Sequence, residues 1–375
     1  MIRTVAWKEL RALAAFRAEN GLAITLYLGL DPSRRGEVKT RVHSLRDEAV
    51  KHLPAGLAHE QRAGLRGDLE RIEEFVETDF DSSGAHGLAV FTSRLDNLWQ
   101  AMPLAASVED ELRIGSELHL APLVPLVGRG NGTLVLLVGR EQGQLFRLQG
   151  TRLVPVAERF DEQPRRHDQG GWSQANLQRH VDTLALEHLR AVAEQLEREL
   201  HRIGGEGRIV VACPEETWAE FSSLLSHQAR TAVVGWTPAD AHARPAELLD
   251  LVAPLLDRSH ADTETQAVER WLEETGRNGR ATSGWANTLE AASDGRVSVL
   301  LFQDGVNHEA WQCPACGRAG LGDGKCPLDG RRMEPCAEGL DLAVRRTLEH
   351  GGTAIAVRGR DDLDAAEGIG AILRF

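Results

Sequence analysis

Long hydrophobic runs are missing from this sequence, and so is any surplus of positive charge. No stretch reaches the ~18 unbroken apolar residues of a membrane-spanning helix, so no membrane partner is expected. The opening MIRTVAWKELRALAAFRAEN is broken by charges and has no apolar signal-peptide centre. Both absences lead to the expectation of a soluble, cytoplasmic protein. The net charge of −13 argues against broad, nonspecific nucleic-acid binding, which needs a basic surface for phosphate contacts. A local basic patch on an acidic body remains compatible with it. Low-complexity tracts and long-period repeats are also absent. What is present is a chain of 375 residues, 42% hydrophobic, long enough for two or three domains that each bury a core.

The chain has few cysteines, five in all, and four of them are clustered. Cys213 stands alone in the apolar run RIVVACP and reads as buried. Cys313-Pro-Ala-Cys316-Gly is followed by Cys326-Pro-Leu-Asp329-Gly and then by Cys336. Without an export signal, this clustering points to a metal rather than to disulfides. Cys-x2-Cys-Gly forms a knuckle in which two thiolates reach one tetrahedral ion and the glycine lets backbone amides approach the sulfurs. The second knuckle has Asp329 where another cysteine would stand. The expected ligands of a structural zinc ion are therefore Cys313, Cys316, Cys326 and either Cys336 or Asp329. The plain alternative is a set of surface thiols in a Gly-rich loop.

Along the chain, LAITLYLGL reads as a buried strand. Val38, Val42, Leu45, Ala49 and Leu53 recur at helical spacing until Pro54, and Leu65, Leu69, Ile72 and Val76 mark a second helix. GLAVFTS and the run at Leu98–Trp99 look like a strand pair, so residues 1–118 are expected to form an N-terminal α/β domain. TLVLLVG, GQLFRLQ and TRLVPVA, separated by Gly-rich turns, read as a meander. A long amphipathic helix from Leu177 to Leu200 follows, then strand GRIVVAC, helix PEETWAEFSSLL and strand RTAVVGW. That order predicts a mixed sheet with an RNase H-like layout over residues 119–240. The remaining residues, 241–375, are expected to form a C-terminal α/β domain. It would hold helices around Leu248–Leu256 and Val268–Leu272, a strand RVSVLLF, the cysteine segment at 311–336, a helix through Leu340, Val344 and Leu348, and a strand TAIAVRG.

One loop exceeds what a connector requires. HDQGGWSQ lies between the meander and the long helix. Gly170 and Gly171 could serve a turn and Ser173 could cap the helix. That leaves Trp172, Gln174 and the flanking Arg165, Arg166, His167, Arg179 and His180, a phosphate-sized basic cluster or else a solvated helix start.

On four features the sequence resembles the bacterial homologues of the archaeo-eukaryotic peptide-chain release factors, in the release-factor and Pelota-like superfamily. These are LAITLYLGLDP, RRHDQGGWSQANLQRHVD, the Cys-knuckle insertion and the closing EGIGAILRF. The resemblance spans essentially the whole chain. It implies a three-domain α/β architecture with an RNase H-like middle domain and a zinc ribbon inserted in the third. It also implies ribosomal (large-subunit rRNA) and tRNA partners, with a translational GTPase as a candidate further one. In that family a Gly-Gly-Gln loop enters the peptidyl-transferase centre and promotes hydrolysis of the peptidyl-tRNA ester. Carried over, Gly170 and Gly171 are the glycines and Gln174 is the residue that positions water. Trp172 could stack on a base, while Arg165, Arg166, His167 and Arg179 contact RNA.

Here the motif reads Gly-Gly-Trp-Ser-Gln, two residues longer than the strict tripeptide. Related factors that release chains from stalled subunits also depart from it and still rely on the glutamine. The first domain has no Asn-Ile-Lys-Ser codon-reading motif, so rescue or quality control is expected rather than stop-codon decoding. The competing expectation is a hibernation or protective factor that occupies the tRNA site without catalysis. An RNA-processing enzyme ranks below both, because the strand interiors carry no carboxylates to hold Mg²⁺. Ser173 as a nucleophile ranks lower still, the loop not being Gly-x-Ser-x-Gly.

Overall fold

A computed structural model describes residues 5–31, 37–51, 53, 56–80, 85–104, 106–127, 133–149, 152–156, 174–203 and 207–375. The chain is a mixed α/β protein that divides into two compact units. One is built from both ends, Met1–Val127 with Asp262–Phe375, and the other is Gly128–Ala261. The division expected after residue 118 thus falls nine residues later, and the one expected after 240 falls after 261. The expected first and third domains share one unit, because a single apolar core runs through both.

In the first segment, α1 (Trp7–Ala14) precedes β1 (Ala23–Gly29), α2 (Val38–Lys51) and α3 (His59–Glu74), which ends in a π-helical turn, Phe75–Asp79. Strands β2 (Gly87–Ser93), β3 (Leu98–Leu104) and β4 (Glu111–Gly115) complete an antiparallel sheet of order β3-β2-β1-β4. Every residue of β1 is buried, because both sheet faces are covered. Ile24, Leu26 and Leu28 face a core with Val42, Leu65, Leu69 and Ile72 of α2 and α3. Ala23 and Tyr27 face the opposite way, into the core shared with the chain's other end. A strand covered on both faces reads as a continuous apolar run, as LAITLYLGL does. A 3-10 turn, Ala121–Leu126, closes the segment.

The middle unit holds β5 (Leu134–Val138), β6 (Gly143–Gln149), β7 (Arg152–Pro155), α4 (Gln174–Arg202), β8 (Ile209–Ala212), α5 (Glu215–Leu224), α6 (His227–Ala232) and β9 (Val233–Thr237). The order is β7-β6-β5-β8-β9, with the first three strands antiparallel and the last three parallel. Leu189, Val192, Leu196 and Leu200 of α4 cover one face together with Phe221 of α5. Leu248, Val252 and Leu256 cover the other. Those residues lie on α7 (Pro245–Gly276), a single helix where two were expected.

The last segment adds β10 (Ala281–Ser283), α8 (Trp285–Ser293), β11 (Val297–Gln303), β12 (Ala310–Gln312), β13 (Ala319–Gly320), β14 (Glu334–Cys336), α9 (Gly339–Glu349), β15 (Thr353–Val357) and β16 (Ile369–Leu373). The main sheet is β10-β16-β11-β15, and β12, β13 and β14 form a small separate sheet, β13-β12-β14, in the cysteine segment. Trp285 and Leu289 of α8 and Leu342 and Val344 of α9 pack on one face of the main sheet; Val268 and Trp271 of α7 pack on the other. No helix among the described residues is long and apolar enough to cross a membrane.

Candidate functional site

Strand β7 ends at Pro155 and helix α4 begins at Gln174. Arg165, Arg166, His167, Gly170, Gly171, Trp172 and Ser173 lie outside the described residues. The backbone of Gln174 is already helical, so the glutamine of the motif belongs to the first turn of α4. No acidic residue occupies that turn. The first turn itself therefore supplies no carboxylate to offset the positive end of the helix dipole. Arg179 is exposed on the second turn, and its carbonyl accepts the Thr183 hydroxyl at 2.8 Å. Arg140 reaches Asp182 at 2.9 Å and ties this end of α4 to the β5–β6 connection.

The cysteine segment brings together Cys313, Cys316, Cys326 and Asp329, whose ligand atoms all lie within 4.8 Å of one another. Two matching knuckles do this. The amide of Gly317 donates to the carbonyl of Cys313, and that of Gly330 to the carbonyl of Cys326, each at 2.9 Å. Both glycines are left-handed, at φ +73 and +72, a conformation that side chains resist. Asp329 therefore occupies in the second knuckle the position that Cys316 holds in the first. Its carboxylate lies 3.2 Å from the Cys313 sulfur, and the Cys316 and Cys326 sulfurs are 3.5 Å apart. The Arg331 amide, and after it the Cys313 thiol, hold the Asp329 carboxyl below its ordinary range. Three sulfurs and an ionised carboxylate at this spacing suit a small tetrahedral cation such as Zn²⁺.

Cys336, the competing fourth ligand, is not part of the cluster. It sits on β14 opposite Ala310 of β12, and burial raises its thiol. Cys213 is buried as its sequence context implied. Burial pushes its thiol up to about 11, and the Trp236 indole donates to the sulfur at 3.2 Å.

A third constellation joins the two ends of the chain. The imidazole of His119 lies between Glu111 and Asp341, 3.3 Å from each. Asp341, on the first turn of α9, also accepts the amides of Leu120 and Ala121 at 2.6 and 2.9 Å. Arg345, one turn on, bridges Asp341 and Glu117, and Arg346 reaches Glu117 at 3.1 Å. Burial works against the charge of His119, but Asp341 and then Glu111 raise its pKa to about 10, so it is an imidazolium at neutral pH. Burial likewise opposes ionisation of Asp341, yet His119 and then Arg345 hold its carboxyl below the usual range. Sequence reading missed this network. Its only local trace is the i,i+4 spacing of Asp341 and Arg345.

This chain is similar to the archaeo-eukaryotic peptide-chain release factors. More narrowly, residues 119–255 match the model of bacterial archaeo-eukaryotic release factor family 10. Peptide chain release factor subunit 1 of Archaeoglobus fulgidus is 20% identical over 331 residues, which cover 83% of this chain and 78% of the relative. Its counterpart in Methanocaldococcus jannaschii is 27% identical over 201 residues, 51% of this chain and 48% of the relative. A structure of ribosome-bound archaeal Pelota with ABCE1 aligns over all of this chain and 95% of its own at 13% identity, with a TM-score of 0.45.

Proposed function

We propose that this protein is a release-factor and Pelota-like translation factor that acts on stalled or aberrant ribosomal complexes and promotes hydrolysis of peptidyl-tRNA. The observation that carries the proposal is the position of Gln174. It opens α4, directly after Gly-Gly-Trp-Ser, inside the region that matches the release-factor family. The β7-β6-β5-β8-β9 order supports the RNase H-like reading of the domain that carries this loop. Gly170 and Gly171 would let the backbone pass close to rRNA, and Trp172 offers a face for stacking. Arg165, Arg166, His167 and Arg179 would contact phosphates of rRNA and the tRNA acceptor end. A glutamine amide is no general base at neutral pH. It can orient a water toward the ester carbonyl, while backbone N–H groups stabilise the oxyanion that develops.

Release of labelled peptide from stalled ribosomal complexes tests this. The parent protein should release peptide, and Gln174→Ala should lower the rate about 100-fold or more while binding persists. Equal release by the two proteins would overturn the role of Gln174. Binding without release by the parent would favour a protective factor that fills the tRNA site.

The same reading assigns Cys313, Cys316, Cys326 and Asp329 to a structural zinc ribbon. A bound Zn²⁺ would cross-link the two knuckles and has no part in the hydrolysis.

A further inference from the structure

The two knuckles are held very differently. The first is fastened on two sides. Toward α8, Arg318 pairs with Asp294 and Glu290, and the Ala319 amide donates to the Ser293 hydroxyl at 2.9 Å. Toward the N-terminal segment, Arg17 donates to the Pro314 carbonyl at 2.8 Å, and Gln312 donates to Glu117 at 3.0 Å. Glu117 also takes Arg345 and Arg346. The Arg346 guanidinium lies against the first knuckle so closely that a Cβ on Gly317 would stand 2.3 Å from its Nη2. Among the described residues, the second knuckle has no comparable seat. Leu328 at its tip is 70% exposed, and the short bridge Lys325–Arg332 closes its base. A cation at the cluster would therefore stiffen a knuckle that the N-terminal segment grips directly, and would do so with ligands one or two residues from the gripped atoms.

We propose that metal binding at Cys313, Cys316, Cys326 and Asp329 is thermodynamically coupled to docking of the N-terminal segment through Glu117 and Arg17, so that metal loading sets how firmly the chain's two ends hold each other. The inference rests on the metal-site reading. Coupling is reciprocal: whatever factor the Glu117 contact adds to metal affinity, the metal adds to the contact. Gly317, Pro314 and Gln312 are the residues through which the effect passes, since each touches a partner outside the ribbon and flanks or lies between ligands.

The test titrates Zn²⁺ into chelator-stripped full-length protein against a chromophoric chelator, and measures amide hydrogen exchange with and without Zn²⁺. Glu117→Gln should weaken Zn²⁺ binding about ten-fold, and Arg17→Gln should weaken it less. Glu77→Gln, an equal change of charge in the π-helical turn, should leave it within about two-fold. Removing Zn²⁺ from the parent should speed exchange at residues 116–121 as well as within 313–336. Arg17→Gln keeps the idea falsifiable if Glu117→Gln does not fold, because the Arg17 side chain is partly exposed and makes a single carbonyl contact to the knuckle. Unchanged affinity in both variants, with exchange confined to the ribbon, would overturn the coupling and leave the metal site standing. A parent protein that takes up no Zn²⁺ would overturn both.

Discussion

His119 shows what a single residue decides. An imidazolium is held in a buried site because two carboxylates face it. Tyr27 closes the same site, donating its hydroxyl to the His119 carbonyl at 2.6 Å, and Arg113 and Arg345 flank the two carboxylates. Since its folded pKa of about 10 exceeds the ~6.5 of an unfolded histidine, the stabilisation is complete below about pH 6.5. It declines as pH rises and is gone above about pH 10. Asp341 and Glu111 are shifted the other way, so their share is complete above the ordinary carboxylate range and is lost as pH falls below it. Stability of the unit built from the chain ends should therefore peak between these limits, which denaturant melts across pH 3–11 would reveal. His119→Gln should cost about 1–3 kcal/mol at pH 6, because it removes the cation between two carboxylates that keep Arg113 and Arg345, and should flatten the alkaline limb. A variant with an unchanged alkaline limb would mean that another group titrates there.

At the scale of elements, legibility followed burial pattern. Strands β1, β2, β5, β8, β11 and β15 and helices α2, α3, α4 and α9 could be read because their apolar residues recur at spacings that backbone geometry imposes. Helices α1, α6 and α8 and strands β4 and β10 were not read. They are short, and their burial depends on partners remote in sequence; α1, for example, packs on α9. The polar stretch between Leu256 and Val268 looked like a break, yet α7 runs through it, since no glycine interrupts the backbone hydrogen bonds there and solvent tolerates the side chains. Strand β5 lies at the centre of the middle sheet with all five residues buried. Leu136→Ala should thus cost about 2–5 kcal/mol in urea unfolding, from lost burial and the cavity left behind.

The cysteine segment is legible to the same degree. The knuckles could be read, but the choice between Asp329 and Cys336 depended on the pairing of β12 with β14. About one equivalent of zinc is expected by elemental analysis, lost in Cys313→Ser together with several degrees of the unfolding midpoint. A folded parent protein free of metal would refute the ribbon.

At the scale of the molecule, the sequence pattern identified the parts and could not show how the ends join. A patch of charge reads as solvated surface until its partner is found, and Arg346, which pairs with Glu117, and Asp341, which pairs with His119, lie more than two hundred residues away. The functional loop is the converse case. Its residue types stood out in the sequence because neither a core nor a turn explains a tryptophan and a glutamine beside paired glycines. The resemblance to release factors rested on this loop together with LAITLYLGLDP, the Cys knuckles and EGIGAILRF, and the similarity to the Archaeoglobus fulgidus factor extends over 83% of the chain.

The amides of Leu120 and Ala121 wait for a carboxylate about 220 residues downstream. During synthesis at ~5–20 residues per second, that interval lasts roughly 10 to 45 s. For that time the nascent N-terminal segment carries His119 without Asp341 and Glu117 without Arg345 and Arg346, and the entire middle unit is made before they arrive. The unit built from both ends is thus a late finisher: its first segment is made early, and its charge network closes only once Asp341 and Arg345 have been made.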